Sequence, residues 1–88
     1  MRGDIVAYIV QVIEKVLNES AGDVDGAPLG EGGINLDSLS LLELSLHIER
    51  QYHVKFSEDE LDAIGGLTIG GLADLVEQKV AAAAGGTR

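Results

Sequence analysis

The sequence lacks cysteine and tryptophan altogether, and aromatic residues make up only 3% of its 88 residues. Without cysteine, the chain can form neither a disulfide framework nor a thiolate metal site. Any thiol that the protein uses must therefore come from outside its sequence. Because aromatic residues are so few while hydrophobic residues reach 45%, the composition predicts one small domain with an aliphatic core.

Basic residues are also scarce, since six lysines and arginines stand against fifteen aspartates and glutamates. The formal net charge of −9 argues against nucleic acids and anionic membranes as partners, because both are negatively charged themselves. It favours partner proteins with basic patches, which an acidic surface attracts during the encounter. An equally simple interpretation is that the charge serves solubility alone.

Long apolar runs are missing as well, because no stretch reaches the roughly 18 residues that a membrane span requires. The N-terminal stretch MRGDIVAYIVQVIEKV comes nearest to a signal peptide, but Asp4, Gln11 and Glu14 interrupt it and no small-residue cleavage site follows. The absence of cysteine also fits a reducing compartment. These features predict a cytoplasmic protein.

Helical periodicity predicts an all-α fold, a small bundle of three main helices and one short helix. We expect helices over residues 4–18, 38–52, 58–64 and, after Thr68 as its cap, to about Ala82. Ser57 and Glu60 match a capping box for the short helix. The first helix presents one apolar face, formed by Ile5, Ile9, Val12, Ile13 and Val16. The sequence thus predicts a single domain over residues 1–83 and a frayed tail over residues 84–88.

A long connection over residues 19–36 separates the first two helices. It contains five glycines and the only proline of the chain, which rule out regular structure over most of its length. A loop of this length is unusual in a compact domain and is often functional. Its apolar residues are expected to anchor it in the core: Val24, Leu29, Ile34 and Leu36.

The second helix carries two apolar stripes on nearly opposite sides, given a turn of about 100° per residue. The wider stripe is assigned to the core and consists of Leu41, Leu44, Ile48 and Tyr52. The other stripe consists of Leu39, Leu42 and Leu46, flanked by Glu43 and Glu49, and we call its three leucines the leucine face. Exposed leucines in line indicate a docking surface. The alternative is that the long loop covers them.

At Asp37-Ser38-Leu39 the sequence resembles the attachment motif of the acyl carrier proteins, Asp-Ser-Leu at the start of the second helix. The resemblance covers most of the chain, through its acidity, its order of four helices, its long first loop and Thr68-Ile69 at the start of the last helix. It implies that Ser38 receives 4′-phosphopantetheine from coenzyme A and that Asp37 belongs to the motif. The thiol of that group would carry acyl intermediates as thioesters, so the chain would be a freestanding carrier and not an enzyme.

The resemblance also implies the partners. They would be a phosphopantetheinyl transferase and then acyltransferases, ketosynthases or acyl-activating enzymes with basic docking patches, in fatty acid or polyketide-type biosynthesis. The leucine face with Glu43 and Glu49 would contact them, and the chain would act as a monomer. Two alternatives stay open: a small acidic helical interaction domain that is never modified, and an aminoacyl or peptidyl carrier of a nonribosomal system. Gly32-Gly33, displaced from Ser38, argues against the second.

Elementary chemistry allows two roles for Ser38. Asp or Ser just before a helix is commonly its N-cap, and taken alone Ser38 would be one. A helix start also offers free backbone N–H groups and the positive end of a dipole, which favour the phosphodiester that attachment creates. With the leucine face beside it, we favour attachment at Ser38, and Asp37 is then the alternative cap of the helix. Ser40 and Ser45 lie inside the helix and are poorer candidates.

The sequence departs from the family pattern at four positions. Asn35 stands where glycine is frequent, and Gly71 stands where an acidic residue often follows the capping Thr68. His47 and Arg50 lie on the second helix where small or acidic residues are more usual. These departures leave the attachment serine in place and bear on which synthase system uses the carrier.

Signals for other chemistry are absent from the sequence. No Gly-x-Ser-x-Gly elbow surrounds a serine, which excludes an α/β-hydrolase. His47 and His53 lie six positions apart, which does not place them on one helical face. The run Asp23-Val24-Asp25-Gly26 does not fit a calcium loop, because the first and last ligand positions would fall on Ala21 and Gly32. We therefore expect no metal site.

Overall fold

The computed structural model describes the backbone of residues 2–85 and the side chains of residues 2–83. It is all-helical, with α1 over Arg2–Gln11, a π-helical turn over Val12–Val16, α2 over Ser38–Tyr52, α3 over Glu58–Ala63, a 3-10 turn over Ile64–Gly66 and α4 over Ile69–Gly85. Within the described residues, β-pairing is limited to one isolated antiparallel bridge between Pro28 and Thr68. The predicted fold class is confirmed, three main helices and one short helix.

The helix bounds agree closely with the predicted ones. Helix α2 begins and ends where the sequence indicated. The first helix starts two residues earlier, at Arg2, and ends with its π-helical turn at Val16, two residues before the predicted end. Helix α3 ends at Ala63, one residue before the predicted end. Helix α4 continues three residues beyond the expected end, through Gly85. Of the predicted frayed tail, residues 84 and 85 are therefore helical, and residues 86–88 lie outside the described part of the chain.

The core is aliphatic, as the composition predicted, and lies between α1, α2 and α4. From the helices it takes Ile5, Ile9, Val12, Ile13, Leu44, Ile48, Ile69, Leu72 and Val76, all at most 3% exposed. Val16 is an exception to the predicted apolar face, since 47% of its surface is exposed. The π-helical turn explains this, because its hydrogen bond from Leu17 N to Val12 O (3.0 Å) places more residues in one turn and moves Val16 off the face.

The long loop is tied to the segment between α3 and α4 by backbone hydrogen bonds. Leu29 N donates to Leu67 O, and Gly30 N donates to Gly65 O, both at 2.8 Å. Two of the predicted anchors are buried, Leu29 at 0% and Leu36 at 5% exposure, and Val24 and Ile34 pack half-buried against the core. The expectation that these four residues anchor the loop is confirmed.

Arg2 joins the N-terminal helix to two other parts of the fold. Its Nη2 lies 3.0 Å from Asp25 Oδ1 in the long loop, and its Nε lies 2.6 Å from Asp74 Oδ1 in α4. Close by, Gly70 N donates to Val24 O at 2.8 Å. The loop is thus held at Val24 and Asp25, to α4 and to α1 respectively.

A tyrosine pair fastens α1 to α2. The rings of Tyr8 and Tyr52 meet edge to face, with centroids 5.7 Å apart. The Tyr8 hydroxyl donates to the carbonyl of His47 at 3.2 Å. Burial raises the pKa of the Tyr52 hydroxyl above its usual value, so the ring stays neutral in the joint.

Helix α3 is short and is stabilised by a capping box at its N-terminus and by an ion pair with α4. Ser57 and Glu60 form the predicted capping box, with Ser57 Oγ accepting from Glu60 N at 3.1 Å and Glu60 Oε1 accepting from Ser57 N at 2.8 Å. Glu60 also pairs with Lys79 of α4 at 2.7 Å. The same ammonium group lies 5.5 Å from the centre of the Phe56 ring, a cation–π distance. These contacts hold α3 against α4 and so determine which side of α3 faces α2.

Among the described residues, none of the helices combines the length and the apolar character that crossing a bilayer requires.

Candidate functional site

The start of α2 is capped by Asp37 and not by Ser38. Asp37 has extended backbone angles (φ −80°, ψ 177°), and its Oδ1 accepts from Ser40 N at 2.8 Å. This hydrogen bond holds the pKa of the Asp37 carboxyl below its usual value, because the N–H stabilises the charged form. The N-cap interpretation of Ser38 is therefore wrong. Ser38 is the first residue of α2 and is exposed. Its hydroxyl is not needed to satisfy the helix end, because Asp37 provides the capping oxygen.

The other two serines of α2 are less accessible. Ser40 is half-buried. Ser45 is 1% exposed, and its hydroxyl donates to the carbonyl of Leu42 at 2.7 Å. A transferase could not reach the hydroxyl of Ser45 without opening the helix bundle. Of these three serines, the structure leaves Ser38 as the exposed one.

The turn before Ser38 explains one departure from the family pattern. Asn35 has a left-handed backbone, with φ at +66°. Its side chain accepts from Gly32 N at 3.2 Å and donates to the carbonyl of Gly33 at 3.1 Å. Glycine adopts this conformation most easily, and asparagine adopts it more readily than other side chains. Asn35 therefore preserves the turn that a glycine would make at this position.

The leucine face is uncovered. Leu39, Leu42 and Leu46 are 66%, 44% and 41% exposed, and the long loop does not lie over them. Glu43, beside them, is exposed as well. The opposite stripe faces inward, with Leu44 and Ile48 fully buried and Leu41 and Tyr52 packed against the core. The predicted division of α2 into a core stripe and an exposed stripe is thus observed.

Glu49 is placed differently from Glu43. It is half-buried, and its Oε2 accepts from Phe56 N at 2.8 Å. The carboxylate therefore ties the end of α2 to the link that leads into α3. It contributes less to the outer rim of the leucine face than its position in the sequence suggested.

A cavity of about 320 Å³ opens beside Ser38, between α2 and α3. Its walls include Ser38, Leu41 and Leu42 from α2, and Leu61, Asp62 and Ile64 from the α3 side. Sequence reasoning missed the contribution of α3. The apolar positions Leu61 and Ile64, three apart on the short helix, were the available signal.

The residues at this end of α2 fit a phosphate-linked arm. The exposed Ser38 hydroxyl can form the ester, and the first turn of a helix presents N–H groups and a positive dipole end to an anion. The cavity offers apolar walls that begin at the same serine. Within the described residues, no group of three or more acidic or histidine side chains is placed to hold a metal ion.

Comparison with known protein families identifies the family of this chain. The profile of the family described as phosphopantetheine attachment site matches residues 7–76. The chain belongs to this family. As a member, it is a carrier protein and not an enzyme, its prosthetic group is 4′-phosphopantetheine, and a phosphopantetheinyl transferase is the partner that installs this group.

The fold of this phosphopantetheine carrier is similar to that of a crystallised acyl carrier protein from Thermotoga maritima. The two share 19% sequence identity, the alignment covers 91% of each chain, and the TM-score is 0.73. At this identity the likeness concerns the fold, and the predicted acyl-carrier-like fold is confirmed. A comparison with curated protein sequences gives no significant match.

Proposed function

We propose that Ser38 carries the 4′-phosphopantetheine group and that the chain is a freestanding acyl carrier, a single domain over residues 1–83. The observation that supports this most directly is that Ser38, the first residue of α2, is exposed. Its hydroxyl is not used to cap the helix, because Asp37 is the N-cap. When bound, the group supplies a thiol that carries acyl intermediates as thioesters. A reducing compartment such as the cytoplasm suits a carrier whose working group is a free thiol.

The loading step uses the chain's own hydroxyl as nucleophile. Ser38 Oγ forms a bond to the phosphorus of coenzyme A that carries the pantetheine arm, and the phosphoanhydride bond to the adenosine bisphosphate breaks. The hydroxyl proton passes to a base of the transferase. The product is a phosphodiester at the start of α2, where the helix N–H groups and dipole favour its negative charge. Asp37 keeps the first turn formed while the hydroxyl reacts.

We propose that partner enzymes contact the leucine face. Three leucines that stay exposed on one side of α2 can be buried by a partner, and Glu43 beside them can meet a basic side chain. The face begins at Leu39, next to Ser38, so that a partner seated on it has the arm within reach. The enzymes that fit are acyltransferases, ketosynthases or acyl-activating enzymes of fatty acid or polyketide-type biosynthesis, and the carrier serves them as a monomer.

Intact mass spectrometry tests the attachment site. The purified chain is incubated with coenzyme A, Mg²⁺ and a broad-specificity phosphopantetheinyl transferase. We expect one mass increment of a phosphopantetheine group in the wild type and none in Ser38→Ala. Ser40→Ala is the matched control, because it removes a hydroxyl from the same turn of α2, and it should load as the wild type does. An increment that persists in Ser38→Ala would contradict the proposal, as would a wild type that gains no mass.

A further inference from the structure

A second cavity lies at the far end of the leucine face, where α2 ends and the chain turns towards α3. Its volume is about 390 Å³, and its walls are Leu46, Glu49, Arg50, His53, Val54 and Lys55. Leu46 belongs to both the leucine face and this cavity, so the two form one continuous surface. With a rise of 1.5 Å per residue, the cavity lies about 18 Å along the helix axis from Ser38.

The cavity is locally basic in a strongly acidic chain. Arg50 and Lys55 are exposed, and neither forms an ion pair with any residue that the structure describes. Glu49 is the single carboxylate in the walls, and it is turned towards Phe56 N, from which it accepts a hydrogen bond. Two cations therefore face outwards against one half-buried anion, in a chain whose formal net charge is −9.

The other described cations are placed elsewhere or are already engaged. Arg2 pairs with Asp25 and Asp74, and Lys79 pairs with Glu60. Lys15 is exposed on the π-helical turn and does not line this cavity. Unpaired positive charge is thus concentrated beside the leucine face.

The turn at His53 creates this cluster. His53 ends α2 in a left-handed conformation, with φ at +57°, and the reversal brings Lys55 to the cavity that Arg50 also lines. A cation in the last turn of a helix complements the helix dipole, which gives Arg50 a structural reason. That reason does not apply to Lys55, which lies beyond the helix in the link to α3.

We propose that this basic pocket, formed by Leu46, Arg50 and Lys55, receives an acidic side chain of a partner protein next to an apolar one. The proposal rests on the proposed docking function of the leucine face. The docking surface then carries opposite charges at its two ends, a negative one on Glu43 nearer Ser38 and positive ones on Arg50 and Lys55 at the far end. A partner with the complementary pair of charges can seat in one direction along α2, because the reversed direction juxtaposes like charges. The basic pocket therefore selects and orients partners.

Nuclear magnetic resonance titration with a designed peptide tests the pocket. The probe is a synthetic amphipathic helix with glutamates around a leucine stripe, and its control carries lysine in place of every glutamate. We expect the glutamate peptide to shift the backbone amide resonances of Leu46, Arg50 and Lys55 in the ¹⁵N-labelled protein. Arg50→Glu and Lys55→Glu should each weaken its binding about tenfold, because each converts an attraction into a repulsion.

Lys15→Glu is the charge-matched control, since it changes the net charge by the same amount away from the pocket. Its binding should stay within about twofold of the wild type, as expected for a distant exposed charge under screening. The proposal is overturned if the glutamate peptide leaves these resonances in place, or if Lys15→Glu weakens binding as much as Arg50→Glu does. It is also overturned if inorganic phosphate displaces the peptide from the same residues, which would indicate a small-anion site.

Loading of the wild type by coenzyme A and the transferase is measured on the same samples and separates the two proposals. If the wild type gains no group at Ser38 while the peptide still binds at Arg50 and Lys55, the carrier proposal fails and the basic pocket stands. If Ser38 loads and the peptide does not bind, the basic pocket fails alone.

Discussion

At the scale of single residues, Asp37 and Ser38 divide two tasks, capping the helix and offering a free hydroxyl, of which a serine could perform either and an aspartate only the first. Asp37 supplies the capping oxygen, and its neighbour keeps an exposed hydroxyl one residue further along. The division follows from the geometry of the helix start, since the N-cap oxygen must reach the N–H of the second or third helical residue. Ser40 N is the group that Asp37 reaches.

Asp37→Asn tests this cap through the pH dependence of stability. Asparagine keeps a capping oxygen but does not titrate. The folded state lowers the pKa of Asp37, so the charged carboxylate stabilises the fold above the unfolded pKa, near 4, and this contribution is lost as the pH falls through the folded value. We therefore expect the wild type to exceed Asp37→Asn in stability at about pH 6 and to lose that advantage progressively as the pH falls below about 4.

Urea unfolding followed by circular dichroism provides the measurement, and the quantity of interest is the difference between the two proteins at each pH. The comparison removes the general effect of acid, because protonation also relieves repulsion among all other carboxylates in both proteins. A difference that stays constant from about pH 6 to about pH 3 would contradict the assigned role of Asp37.

Three residues show the limit of sequence reasoning at this scale. The cap and the exposed leucines follow from spacing along one helix, and they could be predicted. Glu49 could not be placed, because its partner Phe56 N lies seven positions away and beyond the end of α2. Arg50 and Lys55 could not be placed at one cavity either, because they meet there only through the reversal of the chain at His53.

At the scale of elements, the long loop is held in shape by close backbone contact. A Cβ atom on Gly33 would collide with the carbonyl oxygen of Pro28 and come within 2.7 Å of Pro28 N. Pro28 cannot move away easily, since its carbonyl accepts from Ile34 N at 2.9 Å and the residue bridges to Thr68. The loop that precedes Ser38 therefore packs too closely at Gly33 to leave room for a side chain there.

Gly33→Ala is expected to destabilise the fold by about 1–3 kcal/mol, the usual cost of forcing atoms into a packed site. Gly66→Ala is the matched control, because nothing lies within 4 Å of a Cβ at Gly66, and it should change the stability by no more than about 0.5 kcal/mol. Urea unfolding free energies of the three proteins test the pair. Equal effects of the two substitutions would show that the loop adapts to a Cβ at Gly33.

The helices themselves were largely predictable, and their exceptions have physical causes. Periodicity and the Ser57–Glu60 capping box indicated α2 and α3 because those signals are local. The π-helical turn that exposes Val16 has no such signal, since its hydrogen bonds span one residue more than the α-helical ones. The early start of α1 is supported by the ion pairs of Arg2 with Asp25 and Asp74, which are distant in sequence.

At the scale of the whole molecule, the excess of negative charge opposes the compact state. Fifteen acidic residues stand against six basic ones, and the three described ion pairs lie wholly or partly at the surface, where such pairs contribute little to stability. Self-repulsion of the remaining charges acts over the entire surface and is reduced by salt.

Stability is therefore expected to rise with ionic strength, by on the order of 1 kcal/mol between about 0.02 M and about 0.3 M sodium chloride. Salt weakens the few ion pairs too, but the unbalanced acidic charges outnumber them. Unfolding is best measured in urea, because guanidinium chloride is itself a salt. A fall in stability over this range would mean that the ion pairs outweigh the repulsion.

The joint between α1 and α2 has a practical consequence for watching the carrier at work. Tyr8 and Tyr52 are its only tyrosines, and the chain has no tryptophan to mask them. Apart from the weak signal of Phe56, its intrinsic ultraviolet emission and near-ultraviolet dichroism arise from this one edge-to-face contact. Optical spectroscopy in real time and without an attached dye would thus reveal whether these two helices repack when cargo is loaded or transferred.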